Sequence, residues 1–481
     1  MAEGLVGAGD IQLEVLELIC VSGLTVDLTK SCIGITIYEN IFSFALTGTV
    51  ALGDAFNLPS VGHIHGLEYL RLKIKTPSFP DAPTTAIDFT ENVFLVHQIS
   101  ARKRLSEGVQ GYTLEFASQE LIKNQRKKVT NSLTGTWSNL VHRMLTDKKY
   151  LDTSKNILLE KTAGVKRFVS PNIRPLDVVA LGTKQAISQE GSEPTFLFYE
   201  TFSGFHFRSL ASMYNDPPSF LFETVKHGTN FPLLNRGRNI IKQMETILGY
   251  EISNNNDTIL GYRGGMYASK LITHDIINKK YGEHSYKYHD SFSGEPHIVS
   301  RNKKREEHPI VSSLFVNREG RISDYTARTF VVPESNNSLD STKDAQHVTT
   351  SNTTPFSNYN PQSWIQRRNS QMLQLENAFC IKLKVHGNTA IRVGDIVTVN
   401  IPNVQAATVN KEEEYDKHFT GPFLIKHIRH DFSTMKHVMN IELVKDSLEE
   451  PLPSPTNNME PQRASGFTSE YTYSNIDLRN L

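Results

Sequence analysis

Residues 69–75 read YLRLKIK, and this alternation limits the possible fold more than any other stretch. Leu70, Leu72 and Ile74 fall on one side of an extended chain, and Arg71, Lys73 and Lys75 on the other. A period of two marks a β-strand with one dry face and one wet face. The same grammar recurs from Ile11 to Phe116. IQLEVLELICV, GITIYENIFSFALTGTVAL and NVFLVHQISARKRLSEGVQGYTLEFAS are rich in Ile, Val, Leu and Phe, and Gly and Asn break them. Many short strands separated by turn residues indicate a barrel or a sandwich.

The pattern changes at Gln119, where QELIKNQRKKVTNSLTGTWSNLVHRML reads as helix, break, helix. Trp137, Leu140, Val141, Met144 and Leu145 form an i, i+3, i+4, i+7, i+8 stripe, with Thr134 or Thr136 as the N-cap. A second helix is expected over Arg174–Ile187, with Pro175 near its start. PTFLFYETFSGFHFRSL then reads as a hairpin turning at Ser203-Gly204. Phe196, Phe198, Phe202, Phe205 and Phe207 would share one face and pack against that helix; Leu197, Tyr199, Thr201, His206 and Arg208 would share the other.

Strand signals resume near Asn239 and break at Gly264-Gly265. Residues 291–357 are polar and offer little apolar surface to bury. One helix is expected over Asn360–Ala378, followed by strands in FCIKLKVHG, IRVGDIVTVNIPNV, GPFLIKHIRHDFS and KHVMNIELVKDSL. If the later strand-rich parts form one sheet, the fold class is α+β, mainly β, with two β domains, an α/β insert, a polar excursion and an extended C-terminal tail. That the two are similar β-barrel domains is what the family resemblance described below implies. The expected boundaries are an arm at 1–10, a first barrel at 11–118 and an insert at 119–222. A second barrel takes 223–290 and 376–448, the excursion with its helix 291–375, and the tail 449–481.

Lys plus Arg and Asp plus Glu are equal at 51 each, which argues against a general nucleic-acid binder. Three cysteines, Cys20, Cys32 and Cys380, do not suggest a disulfide framework and suit synthesis in a reducing cytoplasm. No basic region precedes an apolar run at the N-terminus, and no apolar stretch approaches the ~20 residues of a membrane span. GxSxG, HExxH, P-loop, GxGxxG and CxxC motifs are all absent from the sequence. His63 and His65 could share a strand face but lack a third ligand at useful spacing. His427 and His430 should point to opposite faces of one strand. Glu412, Glu413 and Glu414 read as a solvated charged loop. The basic clusters Arg102–Arg104, Arg126–Lys128 and Lys303–Arg305 read as solvated faces or subunit contacts. No enzyme activity, cofactor or metal is expected.

Four stretches together resemble the central baseplate hub protein of contractile-tailed bacteriophages, the myoviruses, of the cyanophage type. LTGTVALGDAFNLPSVGHIHGLEYLRLKIKTP is similar to the first-barrel signature, and GYTLEFASQELIKNQRKKVTNSLTGTWSNLVHRML to the entry into the insert. PNIRPLDVVALGTKQA followed by TFLFYETFSGFHFRSL resembles the helix and hairpin. RVGDIVTVNIP, GPFLIKHIRHDF and IELVKDSL resemble the closing strands of the second barrel. The family often has Trp before Pro175; this chain has Arg174.

The resemblance implies a structural homotrimer in which three chains make a ring of six barrels. Such a ring adapts a threefold central spike to a sixfold tail tube and lines the DNA channel. The implied partners are the spike, the first tail-tube ring or a tube initiator, the end of the tape-measure protein and baseplate wedge proteins. Genome DNA passes through without specific binding, and the location is the virion tail baseplate, after synthesis in the host cytoplasm. Phe467, Tyr471 and Tyr473 in the tail are the expected interface anchors on the spike or a neighbouring subunit. The alternatives are a hub of a type VI secretion system or tailocin, a cell-wall hydrolase of the tail, and a carbohydrate-binding adhesin.

Overall fold

The computed structural model describes residues 7–76, 86–224, 242–276, 279–299, 307–311, 321–333, 361–377, 379–401, 415–416, 418–433 and 435–451. Seven strands open the chain: β1 (Gln12–Ile19), β2 (Thr25–Asp27), β3 (Cys32–Asn40), β4 (Thr47–Asp54), β5 (Tyr69–Lys75), β6 (Ala86–Ser106) and β7 (Val109–Ser118). They lie in the order β2-β1-β5-β6-β7-β4-β3. The alternation in β5 is realised as read: Leu70, Leu72 and Ile74 are fully buried. Each contributes about 1.5–3 kcal/mol by leaving water.

The insert follows. It contains β8 (Ser132–Gly135), the helix Trp137–Thr146, β9 (Ile157–Leu159), β10 (Lys166–Val169) and the helix Pro175–Gln185. The aromatic hairpin β11 (Phe196–Thr201) and β12 (Gly204–Ser209) closes it. Thr136, not Thr134, caps the first of these helices, accepting a hydrogen bond from the Asn139 N–H. At the corner where Arg174 replaces the family's Trp, its backbone N–H donates to Asp177 at 3.0 Å, so the helix start is held by hydrogen bonding.

The hairpin register differs from the sequence reading. Thr201 pairs with Gly204 and Glu200 with Phe205, so the turn is Phe202-Ser203 rather than Ser203-Gly204. Gly204 is needed there both for its positive φ of 127° and for its size. A Cβ there would collide with the Asn156 carbonyl, to which the Phe205 N–H donates at 2.9 Å. Phe202 accordingly leaves the aromatic face. Phe196, Phe198, Phe205 and Phe207 do pack with Leu176 and Val179 in the insert core, as expected. The opposite face is also dry, because Leu197 and Tyr199 belong to the core of the next module.

The second half holds β13 (Phe220–Thr224), β14 (Thr246–Asn255), β15 (Ala268–Asp275), β16 (Lys280–Lys287), β17 (His308–Pro309) and β18 (Arg328–Pro333). A helix over Ile365–Asn377 precedes β19 (Phe379–His386), β20 (Ile396–Asn400), β21 (Gly421–Ser433), β22 (His437–Lys445) and β23 (Ser447–Leu448). Six of these strands close a ring in the order β13-β20-β21-β22-β19-β14 and back to β13. The pairings depart from the sequence expectation in two places. β13 begins inside the stretch read as insert yet pairs with β20, and β15 and β16 join β18 in a separate three-stranded sheet.

The two β modules are one strand order used twice. Ranked along the chain, the first module runs 1-4-5-6-3-2 as β1-β5-β6-β7-β4-β3, and the second runs 1-4-5-6-3-2 as β13-β20-β21-β22-β19-β14. Even the irregularities repeat. A bulge between Cys32 and Gly34 in β3 matches one between Ile247 and Gly249 in β14. Another between Val96 and Gln98 in β6 matches one between Ile425 and His427 in β21. The match is not complete. β6 has further bulges between Ser100 and Lys103 and between Arg104 and Ser106 that β21 lacks, and β14 has one between Ile252 and Asn254 that β3 lacks. The first strand differs in direction. β1 is antiparallel to β5, whereas β13 is parallel to both β20 and β14. β13 thereby closes its ring. Among the described residues β1 makes no ladder with β3; its end is tied instead by the Ile11 N–H donating to Met435 O at 3.2 Å.

Candidate assembly interface

The two modules meet along one strand. The start of β21 pairs with β20 in its own ring, from Gly421 opposite Val399 to Leu424 opposite Ile396. Past the bulge at 425–427 the strand swings over and pairs with β3, from His427 opposite Asn40 to Ser433 opposite Gly34. A bulge bends its strand and re-aims the residues beyond it, so β21 serves both modules and makes them one continuous sheet.

A polar cluster is buried under this joint. His430 and His437 are linked by a 3.0 Å Nδ1–Nε2 hydrogen bond, and His430 Nε2 lies 3.7 Å from Glu39 Oε1. Glu39, His430 and His437 are all sealed from solvent. Burial, with His430 beside it, holds the His437 pKa well below the ordinary imidazole range. The displaced Phe202 completes the lid, its ring 4.8 Å from His430 and 6.0 Å from Phe89. The insert thus plugs the seam between modules.

Two ionic knots fix the appended parts. Lys155 Nζ lies 2.7 Å from Glu120 and 2.6 Å from Glu200, all three buried. The second oxygen of Glu200 accepts from the Leu46 N–H at 2.9 Å, tying the hairpin to the first module. Burial alone would lower the Lys155 pKa, but the two carboxylates raise it. Burial raises that of Glu200, and Lys155 only partly offsets it. On the other side, Arg367 lies 2.6 Å from Glu193 and 3.5 Å from Glu295. His297 Nδ1 lies 2.9 Å from Asp446. Burial alone would lower the imidazole pKa, but the charge and hydrogen bond of Asp446, with the Phe292 carbonyl and Glu307, together raise it.

The wet face of the second module carries a groove of about 360 Å³ lined by Lys382, Lys384, His427, Arg429, Glu251 and Glu442, among others. Lys426 crosses to Glu442 at 2.7 Å.

Of the residues singled out in the sequence, Phe467, Tyr471 and Tyr473, Glu412–Glu414 and Lys303–Arg305 lie outside the described residues. His63 and His65 are exposed, with ring centroids 6.4 Å apart. His427 stacks on Tyr38 at 6.2 Å on the wet face while His430 is buried, so the two do point apart. Among the described residues no three His, Cys, Asp or Glu are grouped to hold a metal, and no helix is long and apolar enough to cross a membrane. Arg102–Arg104 line the exposed far half of β6. Sequence reasoning missed the Lys155 knot. Its one signal was Glu200, a carboxylate in the otherwise uncharged FLFYET strand.

No protein-family model and no curated protein matches the sequence. Solved structures align with most of the chain. A tail protein from Neisseria meningitidis is 10% identical, with 90% of this chain and 96% of that one aligned and a TM-score of 0.48. The 43 kDa tail protein of prophage MuSo2 from Shewanella oneidensis is 10% identical over 90% and 98%, with a TM-score of 0.46. A component of the Escherichia coli type VI secretion system, described as similar to bacteriophage T4 tail proteins, is 8% identical over 92% and 79%, with a TM-score of 0.40.

Proposed function

We propose that this chain is the structural hub of a contractile-tail baseplate, with three copies forming a ring of six β modules. One observation carries the reading: a single chain holds two modules of the same strand order, joined side by side by the β3–β21 ladder. Two modules per chain let three copies offer three equivalent contacts on one side and six near-equivalent ones on the other. That is what a junction between a threefold spike and a sixfold tube requires, and it agrees with the motif resemblance. The location is the virion tail.

In this reading the spike docks on one side and the first tube ring on the other. The end of the tape-measure protein occupies the channel, and wedge proteins meet the outer surface. The groove with Lys382, Lys384 and Arg429 beside Glu251 and Glu442 belongs to the channel wall, where mixed charge lets a polyanion pass without holding it. Phe467, Tyr471 and Tyr473 are anchors on the spike or a neighbouring copy. No catalysis is assigned: Glu120, Glu193, Glu200 and Glu295 are engaged by Lys155 or Arg367 and hold the modules together.

The test is to tag the chain in the assembled particle and locate and count it. The expected result is three copies at the axial end of the tail tube. A location off the axis, or clearing of peptidoglycan in a zymogram by the purified chain, contradicts the proposal.

A further inference from the structure

The two ends of the joined pair carry edges that no strand covers among the described residues. At one end, β6 leaves β5 at Leu95, and its far half has β7 on one side only. At the other, β13 reaches only Thr246 and Ile247 of β14, so the rest of β14 has β19 on one side only. The shared strand order gives these edges a meaning. β6 occupies in the first module the place of β21 in the second, and β14 occupies the place of β3. Those two places are what the β21–β3 ladder joins inside the chain.

We propose that β14 of one copy pairs antiparallel with the far half of β6 of the next copy, repeating between chains the joint made within each chain. The partner is therefore a second copy of this chain, in a head-to-tail arrangement, and the inference rests on the hub reading above for the number of copies that close the ring.

Burial at matched positions supports this. Across β4 and β19, Ile35 and Ile37 of β3 stand where Tyr250 and Ile252 of β14 stand. Ile35 and Ile37 are 3% and 0% exposed, whereas Tyr250 and Ile252 are both 40% exposed. An exposed apolar edge strand invites pairing unless something covers it. Charge supports it as well. Matched across β7 and β22, Lys103 of β6 takes the place of Asp431. Asp431 lies opposite Thr36, whose place in β14 is taken by Glu251. Lys103 of one copy thus falls opposite Glu251 of the next, and directly opposed unlike charges favour that register. Both side chains are exposed within one chain, so neither is needed for its fold. One step along, Arg104 falls opposite Tyr250, a cation facing an aromatic ring.

The test uses the full chain with Lys103→Cys and Glu251→Cys together. Directly opposed residues lie about 4.5–5.5 Å apart between Cα atoms, within disulfide reach. Mild oxidation is expected to give covalent species ending at a trimer, and neither single variant nor the native chain should do so. A chain that sediments as a trimer, or sits in three copies at the tail axis, yet does not cross-link at this pair overturns the proposed joint while leaving the hub reading intact. As a second arm, Lys103→Glu is expected to lower the trimer fraction and the added Glu251→Lys to restore it; failure of the double variant to recover also overturns the pairing.

Discussion

The two β modules share a strand order, yet among the described residues only one closes on itself. In the second, β13 runs parallel to both neighbours and seals the ring. In the first, β1 runs the other way and leaves a seam, where a cavity of about 260 Å³ is lined by Ile11, Leu13, Cys32, Ile35, Ile74, Phe432 and Met435, among others. The open module compensates with borrowed parts. Phe432 of β21 enters its core, and Phe202 of the insert packs against it. Closure is therefore a property of strand direction as much as of order. The module that does not close is the one that depends on its neighbours.

That dependence can be broken most forcefully at Lys155. Lys155→Ala leaves Glu120 and Glu200 buried together without a counter-charge, and a loss of about 3–5 kcal/mol is expected. Chemical denaturation should show the first module and insert unfolding ahead of the closed ring. Coincident transitions, with no loss of midpoint, would remove the knot from the account.

Next in size is Phe202→Ala. The ring is only partly buried, so the expected cost is about 2 kcal/mol, below the range for a fully buried Phe. Hydrogen exchange should report the loss in β3 and β6 and spare β19 and β20. Equal loss in both modules would mean that Phe202 does not distinguish them.

Acid offers a graded test. His437 is held neutral by burial, and burial with nearby Arg208 and Arg392 pulls His206 down to about 4. A depressed imidazole pKa leaves stability intact above the unfolded value of about 6.5. As pH falls below it, the unfolded chain takes up protons that the folded chain refuses, and stability drops. His297, raised by Asp446, works in the opposite sense: its contribution is present at low pH and fades as pH rises through its folded value. His437→Gln should make the acid limb shallower by about 1.4 kcal/mol per pH unit, from pH 6.5 downward, in urea midpoints measured at stepped pH. An unchanged slope would show that His437 is protonated in the folded joint.

The smallest effect belongs to the seam itself. Met435 is 72% exposed, so Met435→Ser should shift stability by no more than about 0.5 kcal/mol in thermal melts. A larger loss would show that the seam is already filled and the first module less open than it looks.

Much of the layout was legible because alternation is local. The dry and wet sides of β5, the stripe Trp137–Leu145 and the hairpin's aromatic face all follow from spacing alone. The features that were not legible depend on long-range pairing. Nothing near His427 announces that its strand leaves one module for another, since the bulge at 425–427 is defined by partners far away in the chain. The sequence puts the hairpin turn at Ser203-Gly204 because Gly204 does have the positive φ of a turn glycine, yet it stands just past the turn, where its small size also serves Asn156. Lys155 sits in a polar stretch, TSKN, with no hint that two carboxylates enclose it. The repeat of strand order is equally silent, because equivalent positions such as Thr36 and Glu251 need only match the pleat and not each other.

The most direct measurement is an electron-microscopic reconstruction of the tail's axial end with symmetry left free. The expected map shows one threefold axis and six β modules alternating closed and open around it, with a continuous sheet crossing all six joints. A ring built from six copies, or one in which each copy places a single module around the channel, would contradict the account.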